Sequence, residues 1–319
     1  MSLVTSSARK KPPTAATPSG GVSSSVTWLG SKRGYLTDWL TQQWVKATGC
    51  NISLAEQSWL DGPAGDSRLI GKNFFVDYAR ENHLELVREG TRGLIRDLQE
   101  LCLDNLSAIA PAVRHFYERT SEYEMDAWCE WRGLFKPFGR ALAVLFSRRL
   151  QQLNVPLSSL DSSKGMTSVV VQMRDLASGE VKQTAWVREL HATRNVLYAG
   201  SYSVCRVPGH SQPCVKVVFP LPHGNAIVVM RPQAHAGGSF SVTSSGNTFG
   251  DPGFYFVVHD GYGRASARYV RSLKESIRVY PSERDTARAD HVPWLWGIQF
   301  LRLHYRMRLV AETHVTLPA

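Results

Sequence analysis

The chain has 319 residues, 43% of them hydrophobic and 20% charged, with a formal net charge of +10. That length and apolar content suit one large domain or two small ones and argue against wholesale disorder. No apolar run approaches the ~20 residues that cross a bilayer as a helix, and no uninterrupted apolar stretch follows Arg9, Lys10 and Lys11, so a soluble, cytoplasmic chain without a secretory signal is expected.

Residues 1–33 are rich in Ser, Thr, Pro and Gly and carry five basic residues and no acidic one, which predicts a disordered basic tail. Residues 261–319 carry the rest of the excess, and 34–260 is neutral. The charge therefore marks no broad basic face, and nucleic acid is not an expected partner.

From Gly34 the pattern becomes helical. Tyr35, Leu36, Trp39, Leu40, Trp44 and Val45 recur at helical spacing. Docking onto the body of the protein is the commoner use of such a face. Behind a basic tail, however, an amphipathic helix with two tryptophans also suits peripheral contact with a membrane surface. A second helix is expected over 67–82, and residues 34–106 together read as an α-helical cap segment.

A third helix is expected over 107–119, with Pro111 in its first turn, where a missing N–H costs little. Over 121–131 the period changes: Tyr123, Met125, Ala127, Cys129 and Trp131 alternate with mostly acidic residues, the sign of a strand with one acidic face. A further helix is expected up to about Leu153. Then comes a long meander. Strands are expected at 166–174, 180–190, 195–207, 214–220, 225–232, 238–244, 253–259 and 264–280, the last with room for a break, most of them separated by Gly, Pro, Asn or Asp turns.

The closing segment admits two readings. Asp290 and Pro293 suit a helix start, whereas Leu301, Leu303, Tyr305, Met307 and Leu309 alternate with Arg302, His304, Arg306 and Arg308. The favoured reading is a short helical or irregular lead-in ending in a strand. Its basic row would lie against the acidic row of 122–130.

These elements give an α+β fold, a large curved antiparallel β-sheet packed with helices, occupying 107–319. In outline it is close to helix-grip and calycin-like architectures, in which a curved sheet wraps a helix or closes around an apolar cavity. Fold analogy alone does not establish function.

The sequence lacks Gly-x-Ser-x-Gly, Gly-x-x-x-x-Gly-Lys-Ser/Thr, Gly-x-Gly-x-x-Gly and His-Glu-x-x-His, which counts against the standard enzymes built on them. His115, Glu118 and Glu122 have metal-ligand spacing only on a continued helix, and the strand pattern from 121 breaks it, so no metal is expected. No cofactor is expected either. Cys205 and Cys214 flank a hairpin turn and could face one another; two small buried thiols are favoured over a functional disulfide.

The leading functional expectation is a cavity for a hydrophobic or amphipathic small molecule such as a lipid. Tyr198, Tyr202, Phe219 and Phe256 would form its wall. His210, Arg231 and His235 would form its rim, because alternate turns of a meander share an end. An enzyme acting on such a ligand through His or carboxylate acid–base chemistry is the first alternative. A scaffold with a filled core is the second.

Overall fold

The computed structural model describes residues 36–66, 70–71, 73–133, 135, 137, 166–190, 196–283 and 286–310. The basic tail and the helix expected up to Leu153 lie outside the described residues.

Three helices and fifteen strands make up the described chain: α1 (Leu36–Thr48), β1 (Cys50–Ser53), α2 (Phe74–Glu81), β2 (Leu84–Val87), α3 (Pro111–Glu118) and β3 (Tyr123–Trp131) come first. The meander follows as β4 (Met166–Asp175), β5 (Val181–Leu190), β6 (Val196–Cys205), β7 (Cys214–Leu221), β8 (Gly224–Ala234), β9 (Phe240–Thr243), β10 (Phe254–His259), β11 (Arg264–Tyr269) and β12 (Leu273–Pro281). The chain closes with β13 (Ala287–Leu295), β14 (Ile298–Gln299) and β15 (Leu301–Leu309). The fold is α+β and mostly antiparallel sheet.

The sheet forks at β8. Its first half, Gly224–Val228, pairs with β10, while Arg231–Ala234 pairs with β9. One limb runs β2-β4-β5-β6-β7-β8 and continues through β10 and β11 to β1; the other runs β9-β12-β13-β15-β3. The strand path ends at β2 and β3, which are not hydrogen-bonded to each other, so the sheet is open. At the fork, Gly224 permits a very close approach: a Cβ there would stand 1.9 Å from the Val257 carbonyl oxygen.

Both faces of the first limb are covered. On its outer face Phe75 of α2 packs with Met173, Ala185, Val196 and Ala199. Further along the same limb Trp59 and Leu60 pack with Val218, Ile227, Tyr255 and Ala267. Burial on both faces explains why Val196–Ala199 is apolar throughout instead of alternating. Residues 34–106 thus carry α1 and α2 and also add two short strands, β1 and β2, to the sheet.

The acidic strand is β3 and the basic one β15. They pair in the register Arg306↔Asp126 and Arg308↔Glu124, with Arg306 Nη2 at 2.7 Å from Asp126 Oδ2. The expected helical or irregular lead-in needs correction, because 287–295 is the strand β13. Its inward row is Ala287, Ala289, His291 and Pro293, too mixed in polarity to show as alternation. Nine residues of backbone pairing with β12 hold it extended.

Candidate functional site

The inner faces of the two limbs look at one another across a cavity of about 520 Å³. The strand period of two decides which side chains line it. From β7 come Val215, Val217, Phe219 and Leu221; from β15, Leu301, Leu303, Tyr305 and Met307; from β12, Leu273, Glu275, Ile277 and Val279. Helices contribute at both ends of β8. Gln42 of α1 donates from Nε2 to the Pro222 carbonyl at 3.1 Å before β8 begins, and Ala110, just ahead of α3, donates its N–H to the Gly238 carbonyl at 2.9 Å after β8 ends. Thr41 and Val45 of α1 and Phe116 and Tyr117 of α3 join the lining.

Four of the residues expected to form a wall are brought together here. Tyr198, Tyr202, Phe219 and Phe256 all line the cavity. Phe219 meets Tyr198 edge to face with centroids 5.2 Å apart, and Phe256 meets Trp44 of α1 in the same way at 6.1 Å. His210, Arg231 and His235 are not among the lining residues. Arg231 Nη2 lies 3.1 Å from His210 Nδ1, whose other ring nitrogen is 3.5 Å from Asp251 Oδ1. His235 instead pairs with the Ser241 hydroxyl at 2.8 Å. The first trio is a cluster of its own, and His235 is tied to its own hairpin.

The lining carries few polar groups, and they are specific. The Tyr198 hydroxyl donates to that of Tyr202 at 2.8 Å. Burial pushes both phenols up, Tyr202 to about 12 and Tyr198 well above its ordinary value. The Arg188 guanidinium favours their ionisation and Glu275 opposes it, so both charges are felt at the tyrosine pair.

Arg188 itself is 6% exposed and lies over three rings, 4.3 Å from the Trp186 centroid, 4.6 Å from Tyr198 and 5.4 Å from Tyr305. Its Nε is buried without a hydrogen-bond partner. Among the described residues no carboxylate pairs with it. Glu275 is engaged elsewhere, its Oε2 lying 2.8 Å from His291 Nε2 on the neighbouring strand β13.

Arg188, Glu275 and His291 escape the sequence reading because charged residues in a half-buried sheet are taken to face water. Their signal is one of phase. Glu275 occupies the same row as Leu273, Ile277 and Val279, and Arg188 the same row as Trp186, so each stands where the alternation calls for an apolar side chain.

Elsewhere, His115 Nδ1 lies 2.9 Å from the Tyr123 hydroxyl, while Glu118 bonds Arg114 and the Leu98 N–H. Among the described residues no group of His, Cys, Asp and Glu could hold a metal ion. Cys205 and Cys214 are Cα partners across β6 and β7 but are free thiols, raised by burial to about 12 and about 11.

No family model matches the chain, and no solved structure matches it. Among curated proteins it is 27% identical over 258 residues, 79% of its length, to a Bacillus subtilis (strain 168) protein described as the uncharacterized membrane protein YndJ. The chain spans 42% of that protein's length. This match overturns the expectation of a soluble, cytoplasmic chain, since the relative is described as a membrane protein. Among the described residues no helix is long and apolar enough to cross a membrane.

Proposed function

We propose that the chain holds a hydrophobic or amphipathic small molecule of lipid type between the two limbs of its sheet. The observation that carries this is the cavity itself, about 520 Å³ with walls that are apolar apart from a few placed polar groups. Sites for small molecules typically measure ~300 to 1,000 Å³ and share that composition. The helix-grip and calycin-like outline belongs to the same proposal, supported by the way α3 presents Phe116 and Tyr117 to the space the sheet encloses.

A lipid occupant also suits a chain whose relative is described as a membrane protein. Peripheral contact is part of this reading: Leu36, Leu40 and Trp44 of α1 are each more than 40% exposed. An amphipathic helix of that kind can rest its apolar side in a lipid surface.

The Glu275–His291 hydrogen bond favours a second reading, an enzyme that acts on the ligand by acid–base chemistry. One experiment addresses both. Native mass spectrometry of the purified protein, followed by extraction, should reveal a co-purifying apolar molecule, and N-phenyl-1-naphthylamine should bind saturably at one equivalent. A single bound species supports binding, whereas a related pair differing by a simple hydrolysis or isomerisation supports the enzyme. A bare protein that also fails to bind the probe would overturn both readings.

A further inference from the structure

Resting on the ligand-binding reading, we propose that the ligand is a single-chain amphipath with an anionic head, a carboxylate or a phosphate monoester, and that Arg188 receives that head. A guanidinium taken out of water without a counter-ion is costly, and buried charges are ordinarily paired. Arg188 is more than nine-tenths buried, its Nε has no hydrogen-bond partner, and it lines the cavity.

The rings of Trp186, Tyr198 and Tyr305 offset part of the cost through their negative faces. They hold the group in place, but a ring face offers no acceptor in the plane of the N–H fork, and the Nε–H of that fork is without one. That fork matches the two oxygens of a carboxylate or phosphate.

A second donor stands beside it. Because Tyr198 donates to Tyr202, the Tyr202 hydroxyl keeps its own proton to give. The acidic residues of the lining do not compete for the arginine: Glu275 is bonded to His291, and neither it nor Asp38 pairs with Arg188. The remaining wall is apolar and suits an alkyl chain. Arginine fork, phenol and apolar wall together describe a receptor for one anionic head on one chain.

The test compares ligands of equal tail on the purified, delipidated protein by displacement of N-phenyl-1-naphthylamine. Oleate and oleoyl lysophosphatidic acid supply the two anionic heads, and oleyl alcohol the neutral one. At least one anion should bind tenfold or more tightly than the alcohol, and which one does so identifies the head. In Arg188→Gln the ratio should fall towards one, with Arg188→Lys intermediate. Equal affinities for anions and alcohol in the unmodified protein would overturn the proposal, and so would a ratio that survives Arg188→Gln. Should Arg188→Gln not fold, the unmodified protein and Arg188→Lys decide the matter. Saturable binding of the alcohol alone defeats the head-group assignment while sparing the cavity; no binding of any ligand defeats both.

Discussion

Gly200 governs how the two cavity tyrosines meet. It shares an inward row with Tyr198 and Tyr202, and a Cβ on it would stand 2.8 Å from the Tyr198 hydroxyl oxygen. The missing side chain is therefore the space through which Tyr198 reaches Tyr202. Burial favours the neutral phenol of Tyr202 and pushes it up to about 12, against an ordinary value of 10.0. Since the folded value lies above the unfolded one, the stabilisation is whole below the unfolded value and is lost as pH rises through the folded value. Two pKa steps correspond to about 2 to 3 kcal/mol. Stability in urea should thus hold up to about pH 10 and fall steeply towards pH 12, with Tyr202→Phe flattening the fall. Tyrosinate absorbance near 295 nm provides the check: if all eleven tyrosines titrate at the ordinary value in the folded protein, the burial argument fails.

At the scale of elements, β3 and β15 show how much two distant segments can say about each other. Arg306 and Arg308 both reach Asp126, at 2.7 and 3.2 Å, across a ladder whose two strands are about 180 positions apart. The pairs are partly exposed, so each contributes only about 0.2 to 1 kcal/mol. Arg306→Asp should lower the unfolding free energy measured in urea by roughly that amount, and adding Asp126→Arg should recover part of it. Recovery will be incomplete because Arg308 would then face a like charge. A double variant no more stable than the single one would refute the pairing.

This ladder was legible because apolar and polar residues alternate along both strands, Trp128 excepted, and the meander was legible because turns such as Pro208-Gly209 and Asp260-Gly261 punctuate it. β13 was not, since Asp290 and Pro293 imitate a helix start and its inward row is mixed. Nor were β1 and β2, four-residue strands defined by pairing with β11 and β4 instead of by their own pattern. The aromatic wall was visible in the sequence for a similar local reason. The charged groups of the cavity were not, because their orientation depends on which face of each strand the second limb covers.

At the scale of the whole molecule, the fork at β8 is what makes an interior. A single twisted sheet would offer one face to one layer; dividing β8 between β10 and β9 turns two inner faces toward each other. The outer face of the first limb already packs against α2 and the Trp59–Leu60 segment. Space between the limbs can therefore remain while the wall formed by the first limb stays anchored. Ala226 on β8 and Ala289 on β13 are small, buried members of the lining. In a filled core, enlarging either would force neighbours off their rotamers and cost about 1 to 3 kcal/mol. Facing a cavity, the added ring has room. Ala226→Phe and Ala289→Phe should accordingly keep the thermal midpoint within a few degrees while weakening N-phenyl-1-naphthylamine at least tenfold. Circular dichroism melts and a probe titration measure the two quantities on the same samples. Strong destabilisation with no space to fill would mean that the limbs pack directly together in solution. Unchanged probe affinity in both variants would place the probe outside the space between the limbs.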